Sequence, residues 1–283
     1  MKYLVPAAVT AVLLTAACSS EEASTTEETN TSEEALETVQ TEDVESAGEQ
    51  TEQTEQAPEE TEALQEEPEM TEPQYEINPA IWTVEPLSDA PSNVVLLTID
   101  DAPDQYAVEM AHTLKEKDAP AIFFVNGHFL DTPEEEAMLK EIHELGFPIG
   151  NHTYSHPNLR DLTEEEQREE IVSLSDRVEE IIGERPVFFR APFGANTDFS
   201  EQLAAQEGMV LMNWTYGYDW EADYQHAAAL QDIMVNTEFL TNGANLLMHD
   251  REWTNEALPG IVDGLRGKGY DIVDPVLIKG IDR

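Results

Sequence analysis

Val94-Val95-Leu96-Leu97-Thr98-Ile99-Asp100-Asp101 runs from six apolar or β-branched residues straight into two carboxylates. Such a run predicts a buried strand, and the pattern from Val108 to Lys115 that follows predicts a helix. Ala121-Ile122-Phe123-Phe124-Val125 repeats the strand signal and Pro133 to Leu145 the helical one. The alternation continues with strands at Phe147 to Ile149, Val187 to Phe189, Met209 to Met212, Asn245 to Met248 and Tyr270 to Val273. Helical patterns intervene at Thr163 to Ile182, Phe199 to Gln206, Ala227 to Leu240 and Asn255 to Leu265. Strand followed by helix, repeated about seven times, predicts an α/β domain built on a parallel sheet, as a barrel or a doubly wound sheet.

In either architecture the chemistry gathers at the carboxyl ends of the strands. Asp100 and Asp101 follow the first predicted strand, and His152 and His156 the third. Arg190-Ala191-Pro192-Phe193 follows the fourth, Asp219-Trp220 the fifth, and His249-Asp250 the sixth. Two imidazoles four residues apart on a turn can point the same way, and one carboxylate completes a three-ligand metal site with open positions for water and substrate. The second carboxylate then stays free to take a proton. A His-x3-His spacing alone is often surface decoration, and an Asp pair after a strand is often a helix cap. Caps do not require Arg, His and Trp at successive strand ends.

The N-terminal part carries different information. Residues 1–17 hold one basic residue, Lys2, then a short apolar core and small residues before Cys18, which predicts a secretory signal. Cys18 closes it as a lipidation site would, so the chain is expected outside the cytoplasmic membrane, anchored through that residue or secreted if it is unmodified. As the chain has one cysteine, no intramolecular disulfide forms. Residues 19–75 are dominated by Glu, Thr, Ser, Gln, Ala and Pro, which predicts a disordered acidic tether reaching roughly 40 Å or more. The whole chain has 60 acidic and 14 basic residues for a net charge of −46. Without the tether and the signal, 40 acids still face 13 bases, a balance that excludes nucleic acid and anionic lipid as partners of residues 76–283.

The strand-end residues resemble the polysaccharide deacetylase family, the NodB-homology domain of carbohydrate esterase family 4. Thr98-Ile99-Asp100-Asp101-Ala102-Pro103 is similar to its first motif, Gly150-Asn151-His152-Thr153-Tyr154-Ser155-His156 to its second, and Phe189-Arg190-Ala191-Pro192-Phe193-Gly194 to its third. Tyr216-Gly217-Tyr218-Asp219-Trp220 is similar to the fourth, and Leu247-Met248-His249 to the fifth. The resemblance implies a distorted (β/α)7-type barrel forming one catalytic domain, and a hydrolase that removes N-acetyl groups. It implies Asp101, His152 and His156 as ligands of a divalent metal, Zn2+ first, with Co2+, Mn2+ and Ni2+ as alternatives. It also implies Asp100 as general base oriented by Arg190, and His249 as general acid held by Asp219. Pro192, Phe193, Trp220, Leu247 and Tyr154 are the expected walls of the substrate site.

Two residues depart from the family pattern: Ala102 where the first motif usually has Gly, and Tyr216 where the fourth often has Asp. They leave the metal and proton-transfer residues intact and bear on subsite preference. With a wall-facing anchor and tether, the expected substrate is a cell-envelope amino-sugar polymer, peptidoglycan N-acetylglucosamine before chitin-like oligomers, and the expected state is a monomer. The alternatives are an O-acetyl esterase acting on xylan or exopolysaccharide, and a non-catalytic wall-binding lipoprotein. His112, His143 and His226 are expected on exposed helix faces, and His128 near the rim.

Overall fold

The computed structural model describes residues 72–281. The signal sequence, Cys18 and all but the last residues of the tether lie outside this range. Tyr75, the last of them, is already part of the folded body. It is buried and opens β1 (Tyr75–Ile77), which pairs antiparallel with β2 (Val84–Pro86). This small hairpin has no counterpart in the sequence reading, because three-residue strands carry too little periodicity to register.

The main sheet is parallel throughout. β3 (Val94–Ala102) lies inside it, with β4 (Ile122–Val125), β5 (Ile149–Asn151), β6 (Phe188–Phe189) and β7 (Val210–Leu211) succeeding one another on one side. β8 (Ala244–His249) lies on the other side, and β9 (Asp271–Ile272) pairs with the start of β3. The crossovers are α1 (Ala107–Glu116), α2 (Pro133–Glu144), α3 (Glu164–Ile182), α4 (Asp198–Gln206), α5 (Ala227–Asn236) and α6 (Glu252–Gly267). The curled sheet is a barrel left open between β7 and β8, apart from an isolated bridge from Tyr216 to Leu246.

Local signals start and stop the helices. Thr132 with Glu135 and Thr163 with Glu166 form capping boxes on α2 and α3, and Gly183 ends α3 in the left-handed region at φ 82°. The inner faces of α1, α2, α5 and α6 bury Leu114, Leu139, Leu230 and Leu258 against β3, β4 and β8, each such side chain contributing about 1.5–3 kcal/mol.

Register is what places the functional rim. Ala102 stands beside Val125, Val125 beside Asn151, Asn151 beside Phe189, and Phe189 beside Leu211, while Asp100 stands beside His249. The residues following this row therefore emerge along one edge. The third predicted strand shifts: β5 starts at Ile149 and takes in Gly150 and Asn151, while Phe147 turns into the core against Phe123 at 5.3 Å between ring centroids. Gly150 is required there, since a Cβ would stand 2.4 Å from the Phe124 ring. α5 stops at Asn236, short of Leu240.

Candidate metal and acid-base site

Asp100 and Asp101 lie within β3, not beyond it. Between Ile99 and Ala102 the pairing with β4 slips by one residue, and Asp101 sits at φ 59°. In a regular strand adjacent side chains point to opposite faces. The bulge breaks that alternation and brings both carboxylates to the same rim. Thr153, His156 and Phe193 also have positive φ, of 67°, 59° and 59°. Left-handed backbone at non-glycine residues is costly, most of all at a β-branched one, and here it is concentrated where side chains must converge.

The three expected ligands do converge. One ligand atom from each of Asp101, His152 and His156 lies within 4.8 Å of the others. His156 Nε2 is 3.5 Å and His152 Nε2 is 3.9 Å from Asp101 Oδ1. His152 Nδ1–H donates to the Arg190 carbonyl at 2.7 Å, which leaves its Nε2 lone pair facing the cluster. Burial drives the His152 pKa down to about 3 and lowers that of His156, so both rings are neutral at ordinary pH, the form that binds metal. Two neutral imidazoles and one carboxylate, held with nitrogens and oxygen inward, fit a divalent cation of the Zn2+ type.

Asp100 borders this trio, its Oδ2 at 3.4 Å from His152 Nε2, and Arg190 holds its other oxygen. The guanidinium is fully buried, lies 4.3 Å over the Phe124 ring, and donates through Nη1 to Asp100 Oδ1 at 2.6 Å and Thr98 Oγ1 at 2.8 Å. Its Nη2 donates to the Asn213 carbonyl at 2.8 Å. Burial pushes the Asp100 pKa up, and the charges of Arg190 and His249 oppose it. A carboxylate kept ionised by one cation yet raised by desolvation is suited to accept a proton. Across the rim, His249 Nδ1 is 2.7 Å from Asp219 Oδ1. Burial alone would lower the His249 pKa; Asp219, Asp100 and Asp101 outweigh it and raise it, favouring imidazolium.

A family model described as polysaccharide deacetylase matches residues 88–240, over half of the chain. The chain belongs to the polysaccharide deacetylase family. A peptidoglycan-N-acetylglucosamine deacetylase of Bacillus cereus is 31% identical over 188 residues, covering 63% of this chain and 67% of that protein. The structure of the peptidoglycan deacetylase PdaC from Bacillus subtilis aligns with a TM-score of 0.58 at 28% identity, over 67% of this chain and 92% of that one. A family 4 pseudoenzyme from Bacillus anthracis aligns with a TM-score of 0.59 at 27% identity, over 68% of this chain and 70% of that one. The matched region spans 51%, 70% and 66% of the length of three further curated relatives.

In this member of the family the two carboxylates, the two histidines of the trio and the Asp219–His249 pair share a cavity of about 510 Å³. Phe193, Trp220 and Leu247 line it, as the sequence reading expected, and Phe193 and Trp220 are its exposed aromatics at 66% and 46%. Pro192 and Tyr154 are not in the lining. Pro192 is buried at the foot of the Phe193 turn. The Tyr154 ring stands where a side chain on Gly127 would be, and its hydroxyl donates to Asp131 Oδ1 at 2.7 Å. The departures are benign in place. Ala102 has no positive φ and buries its methyl, so the left-handed residue of the turn is Asp101 instead. Tyr216 points into the core and donates to the Met234 carbonyl at 2.8 Å.

Trp214, Gln225, Arg251 and Trp253 complete the lining and were not singled out from sequence. Arg251 and Trp253 follow His249 by two and four residues, so extending the strand-end rule into the next helical turn would have found them. Asp250, next to His249, is a supporting contact: its carboxylate accepts the backbone N–H groups of Asp104, Gln105 and Tyr106 at 2.7, 3.0 and 2.6 Å. It thereby caps α1 from another strand. His112 pairs with Glu141 on the surface, and His226 caps α5.

Proposed function

We propose that the domain is a metal-dependent hydrolase that removes N-acetyl groups from a cell-envelope amino-sugar polymer, with peptidoglycan N-acetylglucosamine as the first substrate to try. One observation carries the reading: a three-ligand cluster, a second carboxylate and a carboxylate-held imidazole line one cavity. The peptidoglycan deacetylases among the relatives supply the substrate class.

A divalent cation would be held by Asp101, His152 and His156, where it would polarise the acetyl carbonyl and acidify the attacking water. Asp100 takes the proton of that water, and Arg190 keeps Asp100 ionised and aimed. The turn at Phe193 is assigned a backbone N–H donor for the oxygen that gains charge. His249, doubly protonated and steadied by Asp219, gives its Nε2 proton to the sugar nitrogen as the C–N bond breaks, releasing acetate and a free amine. That proton matters because an amine leaves far less readily than an alcohol, which favours N-deacetylation over the O-acetyl esterase alternative. Zn2+ is the metal we assign, ahead of Co2+, Mn2+ and Ni2+.

The location follows from the N-terminal sequence. We assign residues 1–17 to export, Cys18 to lipid attachment and residues 19–75 to a spacer, placing the catalytic domain at the wall face of the membrane as a monomer. Among the described residues no helix is long and apolar enough to cross a membrane.

The test is acetate release from N-acetylglucosamine polymers and from purified peptidoglycan, with chelator and with Zn2+ restored. Turnover that stops on chelation, returns with metal and is lost in Asp100→Asn supports the proposal. Metal binding without turnover on any acetylated polymer would return the protein to the wall-binding alternative.

A further inference from the structure

The carboxylate of Asp101 is divided between two tasks. Its Oδ1 faces the histidines, at 3.5 Å from His156 and 3.9 Å from His152, whereas its Oδ2 accepts from Arg251 Nη2 at 2.8 Å. Arg251 is itself braced, donating through Nη1 to the Asp250 carbonyl at 2.8 Å and standing 3.7 Å from Asp104 Oδ2. Asp250 ties down the same loop through its three backbone contacts, and its own N–H donates to the Asp100 carbonyl at 3.0 Å. One short segment, His249 to Arg251, therefore carries the proton donor, the clamp on the loop that leaves Asp101, and the grip on the Asp101 side chain.

Asp101 needs that grip. It sits in a bulge with left-handed backbone, and Arg251 is the hydrogen-bond donor found on its carboxylate among the described residues. A free aspartate rotates about two side-chain bonds, and either oxygen, or both, can turn toward a cation.

We propose that Arg251 is a positioning residue for the metal centre. By engaging Oδ2 it fixes the rotamer of Asp101 and presents Oδ1 alone to the cation, leaving coordination positions for water and the acetyl oxygen. The proposal rests on the metal-centre reading above. A planar guanidinium is suited to the task because it holds a carboxylate oxygen in a fixed direction while still donating to the Asp250 carbonyl. A lysine ammonium keeps the charge without that geometry.

The experiment is titration of the metal-free full chain with Co2+, following the visible absorption of the bound ion, for wild type, Arg251→Lys and Arg251→Met. Loss of a partner that orients a metal ligand typically costs ten- to a hundredfold in affinity. Both variants are expected to bind Co2+ at least about tenfold more weakly and to shift its absorption bands, because the ligand geometry relaxes in each. If Arg251 only balances charge in an acidic cavity, Arg251→Lys matches wild type and Arg251→Met binds Co2+ more tightly. Either result overturns the proposal, as do unchanged affinity and bands in both variants. Arg251→Lys keeps the stem and charge, so it still decides the matter if Arg251→Met does not fold. Wild type that takes up no Co2+ removes the metal centre itself, a failure distinct from wild-type binding that the variants leave unaltered.

Discussion

Asp219 holds His249 twice, accepting the ring Nδ1–H on Oδ1 at 2.7 Å and the backbone N–H of the same residue on Oδ2 at 2.6 Å. Thr254 Oγ1 donates to Oδ2 at 2.8 Å, and the Trp253 indole N–H donates to the Asp219 carbonyl at 2.8 Å. The imidazole is thus fixed in tautomer and direction, with Nε2 free to deliver a proton.

This pair sets the alkaline limit of the reaction. Burial works against imidazolium, and Asp219 together with Asp100 and Asp101 more than restores it, so the His249 pKa lies above its ordinary value. A proton donor works below its pKa, so turnover should fall as pH rises through that raised value. Asp219→Asn removes the largest opposing charge and should move the alkaline limb to lower pH, with kcat reduced about 10²-fold or more. A pH–rate profile of both proteins checks this; an unmoved limb would mean that another group is the donor.

Arg190 presents the opposite case, a cation with no water around it. The guanidinium is 0% exposed, and its removal leaves Asp100 buried beside an empty space. Arg190→Met should therefore cost about 3–5 kcal/mol in urea denaturation, since breaking one half of a buried pair strands the other charge. Asp100→Asn should cost less, because the amide oxygen can still accept from Nη1. Equal losses in the two variants would contradict the assignment.

The strand ends were the legible part of this chain. Long apolar runs marked β3, β4 and β8, and polar residues just beyond successive runs marked the rim, since both signals survive without knowledge of packing. What sequence could not show was direction. Asp100 and Asp101 were placed after their strand because a bulge leaves no trace in residue type. Tyr154, expected in the substrate wall, follows the left-handed Thr153 and instead packs against Gly127 and donates to Asp131. Arg251 stayed hidden for a related reason: its partner is 150 positions earlier, brought close by the parallel pairing of β3 with β8.

Metal removal should expose the cost of keeping His152 neutral. Its folded pKa is lowered to about 3 by burial, while in the unfolded chain it titrates near its ordinary value of 6.5. Below about 6.5 the unfolded state binds a proton that the folded state refuses, so metal-free stability should fall as pH drops from there toward 3. His152→Gln should flatten that part of the curve. Saturating metal at about a hundred times its dissociation constant should add about 2.7 kcal/mol near neutral pH, an increment that shrinks on acidification as protons compete for the ligands. Melting temperatures across pH, with and without Zn2+, read both effects.

Trp220 and Phe193 both line the cavity and are exposed there, as walls for a sugar ring would be. Trp220 also meets the His249 ring edge-on, at 5.6 Å between centroids, so it borders the point where the proton leaves. Stripping the indole should remove apolar area that covers the sugar face in ground and transition states alike. Trp220→Ala should then raise KM about tenfold with kcat less affected, the pattern of lost uniform binding. Tyr154→Phe is the contrasting variant: it breaks the bond to Asp131 outside the cavity and should show its effect in melting temperature, not in KM. Steady-state kinetics on chitooligosaccharides of increasing length would separate the two. A KM rise with Tyr154→Phe matching that with Trp220→Ala would restore Tyr154 to the substrate wall, and would require the loop around Gly127 to move when polymer binds.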